Sequence, residues 1–285
     1  MTEGTYTNGE PVPDPEPIRP LGVGAVLSAA ASLYARNAQT LWKIVGVVII
    51  PVGIINQIVI GLSLPAGASV AHGNLYTPSG TLNTPPAGVI TEIALSVLAA
   101  LVLQGAISLC LVDAYVERRQ SWTHPLGEAV ERLGGLLWLS ILYFVIVGIG
   151  FIVVIPGIWL AVAWAVSVPA LMFEHVGGFK ALSRSFELTR GRWWATFAEL
   201  LVAVAALFVL LLAIDTVLRG IETALKVSSI GVWLGLNWLG SMATDLIAFP
   251  FVAAVVAVAY IDLRVRKEGL GAGGLALAFD RSRRW

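Results

Sequence analysis

Six long apolar runs, at residues 44–64, 89–111, 136–154, 158–172, 197–218 and 239–261, dominate this chain. A hydrocarbon core about 30 Å thick is crossed by roughly 20 apolar helical residues, so runs of this length predict membrane-spanning helices. With 57% hydrophobic residues, 13% charged residues and a mean hydropathy of +0.83, the chain has too little polar surface to cover a water-soluble globule. The expected fold class is all-α integral membrane with six transmembrane helices. Pro156 and Gly157 separate the third run from the fourth, which predicts a tight turn there and a helical hairpin whose short second arm contains Pro169.

Basic residues orient the runs. Arg19, Arg36 and Lys43 precede the first; Arg118, Arg119 and Arg132 lie between the second and third. Lys180, Arg184, Arg190 and Arg192 lie between the fourth and fifth, and Arg264, Arg266, Lys267, Arg281, Arg283 and Arg284 follow the sixth. All of these fall on one side, leaving only Arg219 and Lys226 for the other, and the first loop on that other side, 65–88, has no charged residue. By the positive-inside rule both termini are cytoplasmic. Trp42, Trp138, Trp193 and Trp194 then fall near inner ends of spans, and Trp159, Trp233 and Trp238 near outer ends, as interfacial anchors or as core filler.

The expected domains are an acidic, proline-rich tail over 1–20, read as disordered, a six-helix membrane domain over 21–268, and a basic cytoplasmic tail over 269–285. Residues 1–20 lack the basic start and apolar core of a secretory signal peptide. Cys110 has no intrachain mate, so no disulfide framework is expected and the thiol reads as buried apolar filler.

A repeat emerges before the odd-numbered runs. Leu27, Ala30, Ala31 and Tyr34 follow an i, i+3, i+4, i+7 pattern, as do Leu126, Ala129, Val130 and Leu133, and Phe179, Leu182, Ser183 and Phe186. Each stripe has a polar back, which predicts short amphipathic elbow helices in the cytoplasmic interface. The organisation expected is three parallel copies of elbow helix plus helical hairpin, with three unrelated interfacial helices as the alternative.

The segments RPLGVGAVLSAAASLYARNAQTLWKIVGVVIIP, PALMFEHVGGFKALSRSFELTRGRWW and VAYIDLRVRKEG resemble the multi-pass membrane domain of some bacterial glycerophosphodiester phosphodiesterases, from about Arg19 to Gly269. The resemblance implies topology, a bacterial plasma membrane location and the support of a soluble partner supplied separately. In such fused proteins a soluble barrel carries the catalytic ligands; this chain has no barrel-sized polar region, and His72, His124 and His175 are scattered.

Catalytic signatures are missing from the sequence: no HExxH, no GxSxG, no P-loop. No enzyme activity, cofactor or metal is expected. His124 and His175 either share a site with Glu128 or Glu174 or are solvated loop histidines.

Acidic residues at membrane depth are the sharper signal, because a carboxylate in mid-span is disfavoured by about 2.5–3.5 kcal/mol. Glu92, Asp215 and Asp245 are expected toward the outer side and Glu199 toward the inner. In the functional reading, Glu92, Asp215 and Asp245 line a polar cavity together with Gln57 and Asn56, and Pro51, Pro169 and Pro250 release carbonyls near it. In the structural reading, Asp215 pairs with Arg219 at i+4, the other acids bond between helices or reach headgroups, and the prolines only kink helices for packing. Lys180, Arg184, Arg190, Arg192, Arg264, Arg266 and Lys267 form a candidate collar for anionic lipid headgroups. Glu187 and Glu268 interrupt it, which argues against nucleic acid as a partner.

Two functions fit this pattern. One is a non-catalytic membrane scaffold or accessory component that engages anionic lipids or a separate soluble or membrane partner. The other is a small permease or channel using its membrane-embedded acids.

Overall fold

The computed structural model describes residues 6–7, 10–11, 22–71, 74–76, 86–115 and 121–269. Arg19, His72, Arg118, Arg119, the basic C-terminal tail from residue 270 and most of the acidic tail lie outside the described residues. Within that tail, β1 (Tyr6–Thr7) pairs antiparallel with β2 (Glu10–Pro11).

The fold is all-α. α1 (Val23–Leu62) and α2 (Pro86–Tyr115) flank a small antiparallel ladder of β3 (Ser69–Ala71) and β4 (Asn74–Tyr76). Then follow α3 (Thr123–Glu131), α4 (Leu133–Phe151), α5 (Ile155–Ala163), α6 (Ser167–Glu174), α7 (Gly178–Thr189), α8 (Trp193–Ala224) and α9 (Ile230–Glu268). Among the described residues, six segments are long and apolar enough to cross a membrane: α1, α2 from Ile90 onward, α4, the joined α5 and α6, α8 and α9.

The three amphipathic segments have different fates. α3 and α7 are separate helices, α3 set off from α4 by Arg132 alone and α7 from α8 by Gly191 at φ 91. The first segment is continuous with its span, giving a 40-residue helix about 60 Å long. No glycine or proline falls between Gly24 and Gly46 to break it, and Leu41, Ile44 and Val45 carry the buried face of Val26, Ala30 and Leu33 onward.

α9 is the centre of the packing. Every residue from Ala253 to Val265 is buried, enclosed by α1, α2, α6, α7 and α8. Ala253, Ala254, Ala257 and Ala259 explain how: small side chains let neighbouring helices approach closely, which is how helices associate where lipid offers no hydrophobic drive.

The hairpin turn lies earlier than its sequence suggests. It occupies residues 152–154, and Pro156 and Gly157 are already helical in the first turn of α5, where the missing proline N–H leaves no bond unmade. Gly157 packs on the backbone of Phe151, so close that a Cβ would sit 2.7 Å from its nitrogen. The fourth run is also broken at residues 164–166, and Pro169 falls in the first turn of α6.

Candidate functional site

A cleft of about 400 Å³ opens between α1, α2 and α9. Each helix presents one face to it. α1 contributes Val52, Gly53, Asn56, Gln57 and Ile60; α2 contributes Glu92, Ser96, Ala99 and Ala100; α9 contributes Trp238, Ser241, Met242, Asp245 and Phe249. These are the three- and four-residue intervals that stack side chains on one helical face. Gly53 makes room: the Trp238 indole lies directly against it.

Three of the four residues predicted to share a polar cavity, Gln57, Glu92 and Asp245, line this cleft together with Asn56. Asp215 does not. It is exposed on α8, where its Oδ2 accepts a hydrogen bond from Arg219 Nε at 2.8 Å, the i+4 pair of the structural reading. Glu199 is buried on α8, away from the cleft. Ser96 and Ser241 were not singled out from sequence, although Ser96 lies four residues after Glu92 and Ser241 four before Asp245, and Trp238, read there as an interfacial anchor or core filler, lines the cleft instead.

The polar groups of the cleft are poorly satisfied. Asn56 Nδ2 donates to Ser96 Oγ at 3.4 Å, joining α1 to α2. Asn56 Oδ1, Gln57 Oε1 and Trp238 Nε1 are buried and have no hydrogen-bond partner among the described residues. Leaving such a group unpaired costs about 1–3 kcal/mol, so each points to a ligand or water that completes it. Among the described residues, no Lys, Arg or His lines the cleft. Two carboxyls and two amide oxygens without a basic neighbour form a hard-oxygen set suited to a small cation or a protonated amine.

Asp245 and Phe249 also line a second cleft of about 410 Å³, between α2, α8 and α9, with Gln104, Leu211 and Thr244. One carboxyl therefore borders two cavities on different sides of α9. Pro250, one turn on, supplies no N–H to the carbonyl of Leu246.

At the opposite end of the helices the predicted basic collar divides. Arg184 Nε donates to both oxygens of Glu174 at 2.9 Å and its Nη2 pairs with Glu268. Arg264, buried, donates to Glu268 at 2.9 Å and lies over the ring of Tyr260, whose hydroxyl donates to Glu174 at 3.0 Å. Arg266 Nε donates to Asp262 at 2.7 Å. Arg184 and Arg264 tie α6, α7 and α9 together and Arg266 pairs within α9, whereas Lys180, Arg190 and Lys267 are exposed and Arg192 is half-buried. The i+4 pairs Asp262/Arg266 and Arg264/Glu268 were visible in the sequence; the cross-helix partner Glu174 was not.

His124 and His175 converge on Glu128, at 4.0 and 3.9 Å, in a third cavity of about 410 Å³, and not on Glu174. Arg132 reaches the same carboxylate at 3.6 Å and supplies it with a cation. Among the described residues, no group of three or more His, Cys, Asp or Glu side chains is arranged to hold a metal ion.

No protein-family model, curated protein or solved structure matches the chain.

Proposed function

We propose that the protein is a small membrane permease that takes a cation, a metal ion or a protonated amine, into the cleft between α1, α2 and α9. The observation that carries this reading is the convergence of Glu92, Asp245, Gln57 and Asn56 on one cleft that has, among the described residues, no basic side chain and two buried amide oxygens lacking partners. Asp245 adds the feature transport needs beyond binding, since it borders a second cavity across α9 and can be approached from either. The test is flux in proteoliposomes. Asp245→Asn and Glu92→Gln each lower cation uptake at least about tenfold, the loss expected when about 1.4 kcal/mol or more of binding is removed, while Asp215→Asn leaves it intact. Unchanged uptake in folded Asp245→Asn and Glu92→Gln proteins sinks the reading.

A scaffold role draws support from a different observation, the exposed Lys180, Arg190 and Lys267 at the far end of the helices. In this second reading the protein sits in a bacterial plasma membrane with cytoplasmic termini and gathers anionic lipid or a separate soluble partner there, as the phosphodiesterase resemblance implies. Loss of binding to anionic over neutral vesicles in a Lys180→Gln, Arg190→Gln, Lys267→Gln triple variant supports it; equal binding refutes it.

A further inference from the structure

The two ends of the fourth apolar segment lie on one short helix. Glu174, at the end of α6, is held by Arg184 of α7. Trp159, one turn into α5, packs its ring on Phe186 of the same helix at 5.6 Å, and its carbonyl accepts a hydrogen bond from the Trp193 indole at 3.0 Å. Arg184 and Phe186 are two residues apart, and the whole of α7 is 12 residues, about 18 Å. A segment that crosses a core about 30 Å thick cannot bring both its ends to one such site.

The break at residues 164–166 makes this return possible. It releases the Ala163 carbonyl, which accepts instead from Ser185 Oγ and Thr189 Oγ1, each at 3.0 Å. α7 is thus packed into the angle of the break. α8 begins beside it at Trp193 and runs away for 32 residues, about 48 Å, to the end where Glu222 meets Asn237 and the chain turns into α9. Trp159 therefore lies at the α7 end of the bundle, and not at the opposite end where its sequence position had put it.

The third apolar segment is bound to the same fate. α4 returns through the hairpin turn with Gly150 against Gly157 and with Tyr143 Oη donating to the Ala161 carbonyl at 3.4 Å. The turn itself is suited to lipid and not to water. Ile152 is 81% exposed and Ile155 77%. Between Tyr143 and Ser167 the only polar side-chain atoms are indole nitrogens. The backbone N–H groups of the turn are all bonded within it: Ile152 to Ile149, Val153 to Gly150, Val154 to Phe151, and Ile155 to Val153 at 2.7 Å in a γ-turn that holds Val154 at φ 60. Internal satisfaction of backbone donors is what a hydrocarbon environment demands. The α8–α9 connection, by contrast, carries Lys226, Ser228 and Ser229.

We propose that residues 133–174 form a re-entrant hairpin that dips into the leaflet on the α7 side and returns to that side, its tip surrounded by the acyl chains of that leaflet. α1, α2, α8 and α9 then cross the bilayer, and the even number of crossings keeps the basic segments on one side. This inference does not depend on the cation cleft.

The test is site-directed spin labelling of protein reconstituted in liposomes, with single cysteines at Val153→Cys, Ser183→Cys on α7 and Ser228→Cys in the α8–α9 connection, and with the pairs 153/183 and 153/228. Cys110, the one native cysteine, is replaced by Ala, or retained as the buried thiol it is if that variant fails to fold. The expected result is a label at 153 that collides with oxygen and not with a water-soluble nickel reagent, and that lies nearer 183 than 228 by about half a bilayer core, roughly 15 Å. Nickel accessibility at 153 from either side, or a label nearer 228 than 183, overturns the proposal.

Discussion

Gly53 of α1 and Trp238 of α9 are in direct contact, and a Cβ at position 53 would overlap the indole nitrogen. The contact fixes both the width of the cleft and the position of an unpartnered donor in its wall. Gly53→Ala tests it with opposed terms. Helix propensity favours alanine by about 1 kcal/mol, whereas overpacking costs about 1–3 kcal/mol. Because the indole is rigid, overpacking is expected to prevail: a lower melting temperature in detergent and a shifted tryptophan emission. A raised melting temperature contradicts the contact.

Gln57→Leu separates stability from function. Removing a buried amide oxygen that has no partner is expected to raise unfolding stability by about 1 kcal/mol. In the permease reading, added cation stabilises the parent protein by binding the folded state and stabilises the variant less. Thermal melts with and without added cation give both numbers, and a variant less stable than the parent without cation rules out the vacancy of that oxygen.

Glu174 is the hub between two guanidinium groups, those of Arg184 and Arg264, and the hydroxyl of Tyr260. Glu174→Gln leaves Arg264, 7% exposed, short of a carboxylate. Removing one partner of a fully buried pair costs about 3–5 kcal/mol. Since Arg184 and Glu174 retain some solvent contact, about 2–3 kcal/mol is expected from denaturant unfolding. Arg184→Lys does not restore the loss-free state, because an ammonium cannot match the two-oxygen geometry.

Ser185 and Thr189 share one acceptor, the Ala163 carbonyl. Ser185→Ala and Thr189→Val are each expected to cost below about 1 kcal/mol, as the remaining hydroxyl still serves the carbonyl. The double variant strands it, so its loss should exceed the sum of the singles by about 1 kcal/mol. Simple additivity in urea titrations would show that the carbonyl finds another donor.

Much of the cleft was legible before any coordinates. Glu92 and Asp245 stood out because charge inside an apolar run has to be accounted for, and Gln57 because an amide there has the same need. Asp215 looked identical by that criterion. What separated it was Arg219 on its own helix and a face of α8 turned outward. The collar shows the complementary limit: of its seven basic residues, Arg184, Arg264 and Arg266 are engaged by carboxylates from α6 and α9, while Lys180, Arg190 and Lys267 are exposed. Pairs at i+4 can be read along the sequence, whereas a partner on another helix, such as Glu174 for Arg184, cannot.

Hydropathy, charge asymmetry and three- to four-residue spacing are properties of one segment at a time, and they sufficed to define an all-α chain of long apolar helices with acidic faces on three of them. Which faces meet depends on the axial offset and rotation of packed helices, and those are set by contacts between residues distant in the chain, such as Gly53 with Trp238. The break after Ala163 illustrates the division most clearly. Sequence supplied an apolar run with a proline; that the carbonyl of Ala163 at its break is met by the hydroxyls of Ser185 and Thr189, arriving from another helix, is decided by the tertiary structure alone.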